Sequence, residues 1–252
     1  MRSTKILVLA LMPGALWAEG FTGPVIPVLI PPAEETSRVS VVVDPGLTSS
    51  KRLRTSALVR AREAMHANQP VSADDLRALA EAGDGLAAQR YVRVLLDGAS
   101  VDPSDIAYFS AVAVGTGRIW TLKTMIDAMH KLDPEKEPRA RIRKYIQVLY
   151  PHAWAGNALA LDALVAFNGE GRLFGPLSDR TRDRILAQAG KMQDGRTELS
   201  LAMGLLEAHR AGAASGPDTL DKARGYLQSA AGSNHLAVRT TAENLLRMLE
   251  SS

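Results

Sequence analysis

The residues able to do acid–base or metal chemistry are scattered along this chain. It has 252 residues and five histidines, His66, His130, His152, His209 and His235. No two histidines stand four residues apart, and no H-E-x-x-H motif occurs, so a zinc site has no support. The absence of cysteine excludes thiol catalysis, cysteine metal sites and disulfides. The sequence therefore predicts no catalytic residue, no metal site and no cofactor.

Isolated glutamates leave one enzymatic alternative open. Glu63, Glu170, Glu198 and Glu243 could each be the lone catalytic acid of a muramidase-type enzyme. Exposed glutamates on helix surfaces are the simpler interpretation. The glycine-rich stretches at 115–117 and 169–171 continue into neither a P-loop nor a dinucleotide fingerprint, and are typical of turns. The alternative function is an accessory or degenerate enzyme acting on peptidoglycan or polysaccharide.

One aromatic cluster has residue types suited to binding a partner. Tyr150, His152 and Trp154 stand together at an apparent break between helices, and Phe174 lies in an insertion at 169–178. Trp and Tyr dominate interface hot spots, and insertions in repeat proteins often map to the binding face. We take these four residues as the candidate partner-binding site. The alternative is a buried wedge between repeats.

The composition favours helices and gives no sign of nucleic-acid binding. The chain is 46% hydrophobic but only 5% aromatic, which suits helices packed through small residues better than a β-sandwich. Removing Arg2 and Lys5 with a signal peptide leaves 28 basic and 27 acidic residues, a net charge of +1. A net charge this close to zero gives no sign of the basic surface that nucleic-acid-binding proteins present.

The N-terminus has the pattern of a signal peptide over residues 1–18. A basic start with Arg2 and Lys5 is followed by an apolar run, and Ala18 suits the last position before a cut. The apolar run is far shorter than the roughly 20 residues that span a bilayer. We expect a periplasmic or secreted protein, cleaved after Ala18, with no transmembrane segment in the mature chain.

Residues 19–50 form a proline-rich segment ahead of the helical part. Its five prolines block helix formation and favour extended conformations. We interpret it as an extended, disordered linker. The alternative is a partner-binding arm, since an apolar extended stretch such as Arg38–Val43 can add to a foreign sheet edge.

Glycines recur at a regular interval through the predicted helical domain, residues 51–250, whose first helix is predicted over 51–67. Gly83, Gly117, Gly156, Gly195 and Gly232 are 34, 39, 39 and 37 residues apart, and each precedes an Ala- and Leu-rich helix. Helical-pair repeats have periods in this range. Eight residues beyond each glycine, one core position holds Tyr91, Met125, Leu164, Met203 and Thr240. The prolines and charges of 131–139 indicate a possible break between two sets of repeats.

These residues resemble the Sel1-like subfamily of tetratricopeptide-type repeats. The family pattern is roughly D-x-x-K-A-x-x-W/Y-x-x-x-A-A-x-x-G-x-x-x-A. The stretch 218–237 matches it with an Asp, Lys222-Ala223, Tyr226, Ala230-Ala231, Gly232 and Ala237, and 79–98 is similar to the second half of one unit. The resemblance implies an all-α, right-handed α-solenoid whose concave face binds protein segments without catalysis. It also implies a scaffold or adaptor in envelope or exopolysaccharide-export assembly, with protein partners.

Overall fold

The computed structural model describes residues 39–98, 102–212 and 217–251. These ranges are all-helical and contain no β-strand. The α-helices are α1 (Ser56–His66), α2 (Ala73–Glu81), α3 (Gly85–Asp97), α4 (Pro103–Gly115), α5 (Leu122–Met129), α6 (Arg139–Trp154), α7 (Ala158–Phe167), α8 (Asp179–Met192), α9 (Arg196–Arg210), α10 (Pro217–Ala231) and α11 (Leu236–Glu250). The predicted signal peptide and residues 19–38 lie outside the described residues. None of the described helices is long and apolar enough to cross a bilayer.

From α2 onwards the helices form five consecutive pairs, each joined by a short turn. The five recurring glycines all lie in the turn between the two helices of a pair. Gly83, Gly117 and Gly156 adopt φ angles of +91°, +92° and +95°, a region that side chains disfavour. The turns of the first three pairs therefore share one backbone conformation. The regular spacing of the glycines in the sequence reflects this shared turn.

The fourth and fifth pairs also consist of two helices joined at a glycine, but their turns have different conformations. Gly195 is itself the N-cap of α9, and the preceding αL position is taken by Gln193. The fifth turn packs directly onto the fourth, where the Ser233 hydroxyl donates to the Asp194 carbonyl at 2.5 Å. At the predicted core position, Tyr91, Met125 and Leu164 are buried, Met203 is half-buried and Thr240 is exposed. The last two pairs thus differ from the first three in the conformation of the turn and in the burial of this core position.

Three groups of buried side chains follow one another along the stack. The first joins α1 to α4, the second joins α4 to α8, and the third joins α9 to α11. Helix α4 contributes to the first two, with Phe109 in one and Ile106 in the other. The 131–139 loop lies within the second group, so the core runs past it without a division.

Two helix boundaries differ from the sequence prediction. Helix α1 begins at Ser56 rather than Lys51, because Thr55 caps it by accepting from the Leu58 amide. Helix α6 continues through Tyr150 and Pro151 to Trp154, where a break was predicted. Pro151 has no backbone N–H to donate, but it lies in the last turn, so the missing hydrogen bond affects only the end of the helix.

Residues 39–47 form an extended strap along the turns of the first three pairs. The amides of Val43 and Asp44 both donate to the Gly115 carbonyl, at 2.9 and 3.0 Å, and the Leu47 amide donates to the Gly83 carbonyl at 3.0 Å. At the other end, the Asn157 side chain donates to the Val39 carbonyl at 3.3 Å. The strap therefore crosses the turns in the reverse of their chain order.

The strap differs from the disordered linker that the proline content favours. Within residues 39–47 the backbone forms neither helix nor strand, and its amides donate to carbonyls at the turns and to the His152 ring instead of a neighbouring strand. Leu47 is buried, whereas the side chain of Val42 is 65% exposed. Residues 39–47 are thus part of the folded body, and they tie three helical pairs together.

Candidate binding groove

A concave groove of about 890 Å³ lies between the first helices of three successive pairs. The end of α2, the middle of α4 and the first half of α6 form its walls, and strap residues 44–46 close one side. Its apolar lining comes from Pro45, Ala80, Ala82, Tyr108, Val112, Pro138 and Ala140. Helices α2, α4 and α6 are held by the two larger cores, so the groove has walls fixed by packing.

The polar lining of the groove is predominantly basic. Arg141, Arg143 and Lys144 come from the start of α6, and Arg52 comes from the 3-10 turn before α1. The acidic lining residues are Asp44 and Glu81. Glu81 is already paired with Arg77, with 3.0 Å between carboxylate oxygen and guanidinium nitrogen.

Arg141 is fixed against the wall of the groove. Its guanidinium donates to Asp105 Oδ1 at 2.7 Å and to Ser104 Oγ at 2.5 Å. It also lies over the ring of Tyr108, 4.9 Å from the centroid. A guanidinium held by a carboxylate and an aromatic ring loses little freedom when a ligand binds. Arg141 is therefore a pre-positioned part of the groove wall.

Lys144 fastens the strap to α6. Its Nζ donates to Asp44 Oδ2 at 2.8 Å, and Asp44 Oδ1 accepts from the Gly46 amide at 2.8 Å. The hydrogen bond from Lys144, helped by the one from Gly46, lowers the pKa of the Asp44 carboxyl. Asp44 is thus ionised at neutral pH, and this ion pair keeps one side of the groove in place.

His152, one of the four predicted site residues, is buried under the strap. Its Nε2 accepts from the Val41 amide at 3.2 Å, so the ring is neutral and Nδ1 carries the proton that is donated to the Val148 carbonyl at 2.8 Å. Burial lowers the pKa of His152, which favours this neutral form. His152 therefore holds a segment of its own chain.

The other three predicted site residues form one aromatic cluster, away from the His152 contact with the strap. Tyr150 and Trp154 meet edge-to-face with centroids 5.6 Å apart, and Tyr150 lies 6.4 Å from Phe174. The Tyr150 hydroxyl donates to Asn168 Oδ1 at 3.1 Å, and Arg184 of α8 lies 4.4 Å over the Trp154 ring. All three are half-buried against the second core, so α8 and the 169–178 loop already cover part of them.

A buried charged cluster between α7 and α9 was missed by the sequence analysis. Arg196, whose side chain is 6% exposed, forms ion pairs with Asp162 and with Asp194, the latter at 3.3 Å. Burial raises the pKa of Asp162 to about 6, against the attraction of Arg196. Burial also raises the pKa of Glu198, whose Oε2 is buried without a hydrogen-bond partner. This cluster adds a charged contact between α7 and α9 to the apolar core that the third pair shares with α8.

The basic groove was also missed, although the sequence held a signal for it. The first turns of α6 carry Arg139, Arg141, Arg143 and Lys144, and Pro138 offers no side-chain cap. Cations near a helix N-terminus oppose the helix dipole, whereas other helices here begin with acids, such as Asp74 and Asp75 in α2. A local arrangement that opposes helix stability often has a functional reason.

Among the residues that the structure describes, no three or more His, Asp or Glu side chains are grouped so that they could hold a metal ion. Comparison of the chain with family models, with curated proteins and with solved structures finds no match.

Proposed function

We propose that this chain is a non-catalytic protein-binding scaffold that holds a segment of a partner protein in the groove between α2, α4 and α6. The observation that carries the proposal is the groove, built by the equivalent helix of three successive pairs and closed on one side by the strap. Stacked helical pairs present extended concave surfaces of this kind to their partners. Its volume of about 890 Å³ is within the usual range for binding clefts.

We further propose that the five pairs form a right-handed α-solenoid of the Sel1-like, tetratricopeptide type. Support comes from the consecutive packing of the helices and from the shared φ angle at Gly83, Gly117 and Gly156. The different turns at Gly195 and Gly232 suit terminal units, which are commonly atypical in repeat proteins.

The place of action that we propose is the periplasm or the exterior of the cell, in envelope or exopolysaccharide-export assembly. The signal-peptide pattern of residues 1–18 supports export, and the Sel1-like resemblance supports a role in assembly. N-terminal sequencing of the protein recovered from the producing cell should begin at Glu19. A full-length chain that stays in the cytoplasm would contradict this part of the proposal.

Site-specific photocrosslinking tests the groove directly. A photoreactive phenylalanine analogue replaces Ala140, an exposed residue of the groove lining, and in a second variant replaces Arg93, an exposed residue of α3 outside it. We expect the Ala140 variant alone to form a covalent adduct that mass spectrometry maps to one segment of one partner. That segment, made as a free peptide, should suppress the adduct. Equal adducts from both positions, or none from Ala140, would overturn the proposal.

One observation favours the enzymatic alternative enough to test it. Glu198 has a raised pKa and an unsatisfied buried oxygen, whereas Glu63, Glu170 and Glu243 are exposed. A carboxyl group with a raised pKa is what a general acid for glycoside cleavage requires. Turnover of peptidoglycan or polysaccharide by the purified chain, abolished in Glu198→Gln, would establish this function in place of the scaffold.

A further inference from the structure

We propose that the groove between α2, α4 and α6 selects an acidic polypeptide segment, whose carboxylates meet Arg52 and Arg143. This inference rests on the proposed scaffold function and adds the chemistry of the partner. Two arginines without ion pairs, an apolar lining and the fixed Arg141 together favour such a ligand.

Among the four cations that described residues contribute to the groove, two form ion pairs within the chain and two do not. Lys144 is paired with Asp44 at 2.8 Å, and Arg141 with Asp105 at 2.7 Å. Arg143 makes no ion pair or hydrogen bond with any described residue, and Arg52 makes one weak hydrogen bond, 3.4 Å long, to the Gly46 carbonyl. The groove therefore presents two guanidinium groups with most donors unused.

Guanidinium groups recognise carboxylates through paired, parallel hydrogen bonds. Arg52 and Arg143 come to the groove from different elements, one from the turn before α1 and the other from α6. A ligand that pairs with both guanidinium groups must carry at least two negative groups. An extended polypeptide with spaced Asp or Glu residues meets this requirement, at about 3.3 Å per residue.

The remaining lining favours polypeptide over an anionic polysaccharide. Pro45, Ala82 and Ala140 are exposed and supply small apolar surfaces suited to aliphatic side chains. Tyr108 is the only aromatic ring among the described lining residues, and Arg141 covers one of its faces, which leaves little ring surface to stack on a sugar. Two free cations are also far fewer than a polyanion-binding surface normally offers.

An acidic ligand would also relieve an unfavourable feature of α6. The cations of its first turns face the positive end of the helix dipole, without a capping side chain. Carboxylates bound beside Arg143 place negative charge at that end of the helix. Binding of an acidic ligand would therefore also stabilise the N-terminal end of α6.

Selection from a library of random decapeptides displayed on phage tests the proposal. Four forms of the mature full-length chain are compared: the unmodified protein, the charge-reversed Arg52→Glu/Arg143→Glu, the sterically blocked Ala140→Trp, and the control Arg93→Glu/Arg239→Glu. All five substituted residues are exposed, and the two control residues lie outside the groove lining. The charge-reversed variant and the control each replace two arginines by glutamates, so their changes in net charge are equal. Circular dichroism verifies that each variant keeps its helix content.

The expected result is an enriched pool with at least about two net negative charges per peptide. A synthetic peptide from this pool should lose about tenfold or more in affinity with the charge-reversed variant and with the blocked variant, and little with the control. Binding should weaken when the salt concentration rises from about 50 to about 500 mM, because salt screens the attraction between exposed charges.

The other outcomes separate this inference from the scaffold proposal. Enrichment of neutral or basic peptides that Ala140→Trp abolishes would overturn the acidic ligand and leave the scaffold standing. No enrichment by the unmodified protein would overturn both. Binding of polygalacturonate that the charge-reversed variant loses, without any peptide enrichment, would replace polypeptide by an anionic polysaccharide.

Discussion

At the scale of single residues, His152 shows how an apparent partner-binding side chain can serve the fold. It stands in sequence between Tyr150 and Trp154, but it faces the strap while those two face α8 and the 169–178 loop. Its ring accepts from the strap and donates to its own helix, a role that only the neutral Nδ1–H form can fill. Protonation would turn Nε2 into a second donor facing the Val41 amide.

The strap should therefore loosen as the pH falls. An exposed histidine takes up its proton near pH 6.5, whereas burial lowers the pKa of His152 in the folded state. The unfolded or detached state thus binds more protons below about pH 6.5, and the stability that neutral His152 contributes is lost as the pH falls through its folded pKa. We expect the protection factors of the Val41, Val43 and Asp44 amides to fall between pH 7.5 and pH 5.0 in hydrogen exchange.

The variant His152→Phe identifies the cause of this pH dependence. It leaves the Val41 amide without its acceptor, so protection of the strap should already be reduced at pH 7.5, by a free energy of about 1–2 kcal/mol, and should change little with pH. His235→Gln, at an exposed site that caps no helix through its side chain, should behave as the unmodified protein. Equal pH dependence in His152→Phe and the unmodified protein would show that another group controls the strap.

At the scale of elements, the turn glycines set the geometry of each pair. Gly156 has φ +95°, yet an added Cβ would meet only the flexible end of Gln188, at 3.4 Å. We expect Gly156→Ala to lower the free energy of unfolding by about 1–2 kcal/mol through backbone strain. Gly190→Ala, in the last turn of α8 where an added Cβ would meet nothing within 4 Å, should raise it by about 0.5–1 kcal/mol. Urea denaturation measures both, and equal effects would contradict the assigned role of the turn.

The elements also show which parts of the fold are local enough to predict from sequence. Helical pairs and their turns leave a period of glycines and apolar residues, because each pair is formed by residues near one another in the chain. The strap leaves no such pattern, since Val43 bonds to a carbonyl 72 residues away and Val41 to a ring 111 residues away. The groove is equally non-local, because its lining brings together Arg52, which lies before α1, and Arg143 of α6.

At the scale of the whole molecule, the three cores are joined by different means. The first and second share helix α4 and are further tied by the strap. The second and third meet at the charged cluster of Asp162, Asp194 and Arg196, where Asp162 has a pKa raised to about 6 and where Leu201 of α9 adds an apolar contact to the second core. Buried ion pairs often contribute less net stability than apolar contacts, because desolvation offsets their attraction. We therefore expect the third core to open independently of the other two.

Two matched core substitutions test this independence, and with it the solenoid. Leu227 of α10 and Leu149 of α6 are both fully buried, the first in the third core and the second in the second. Each leucine-to-alanine change should destabilise its surroundings by about 2–5 kcal/mol. In a stack of nearest-neighbour units, Leu227→Ala should reduce hydrogen-exchange protection in α9, α10 and α11 and leave α2–α5 unchanged. Leu149→Ala should reduce protection throughout α4–α8 and in the strap.

Leu236→Ala is the control, because this leucine is 65% exposed and its loss should change protection nowhere. If Leu227→Ala instead lowered protection evenly from α2 to α11, the helices would form one cooperative core and the solenoid hypothesis would be wrong. Independence of the last core would also leave the groove intact when α10 and α11 open, because its walls come from α2, α4, α6 and the strap alone. Under the scaffold proposal, Leu227→Ala should therefore retain binding of the acidic peptide.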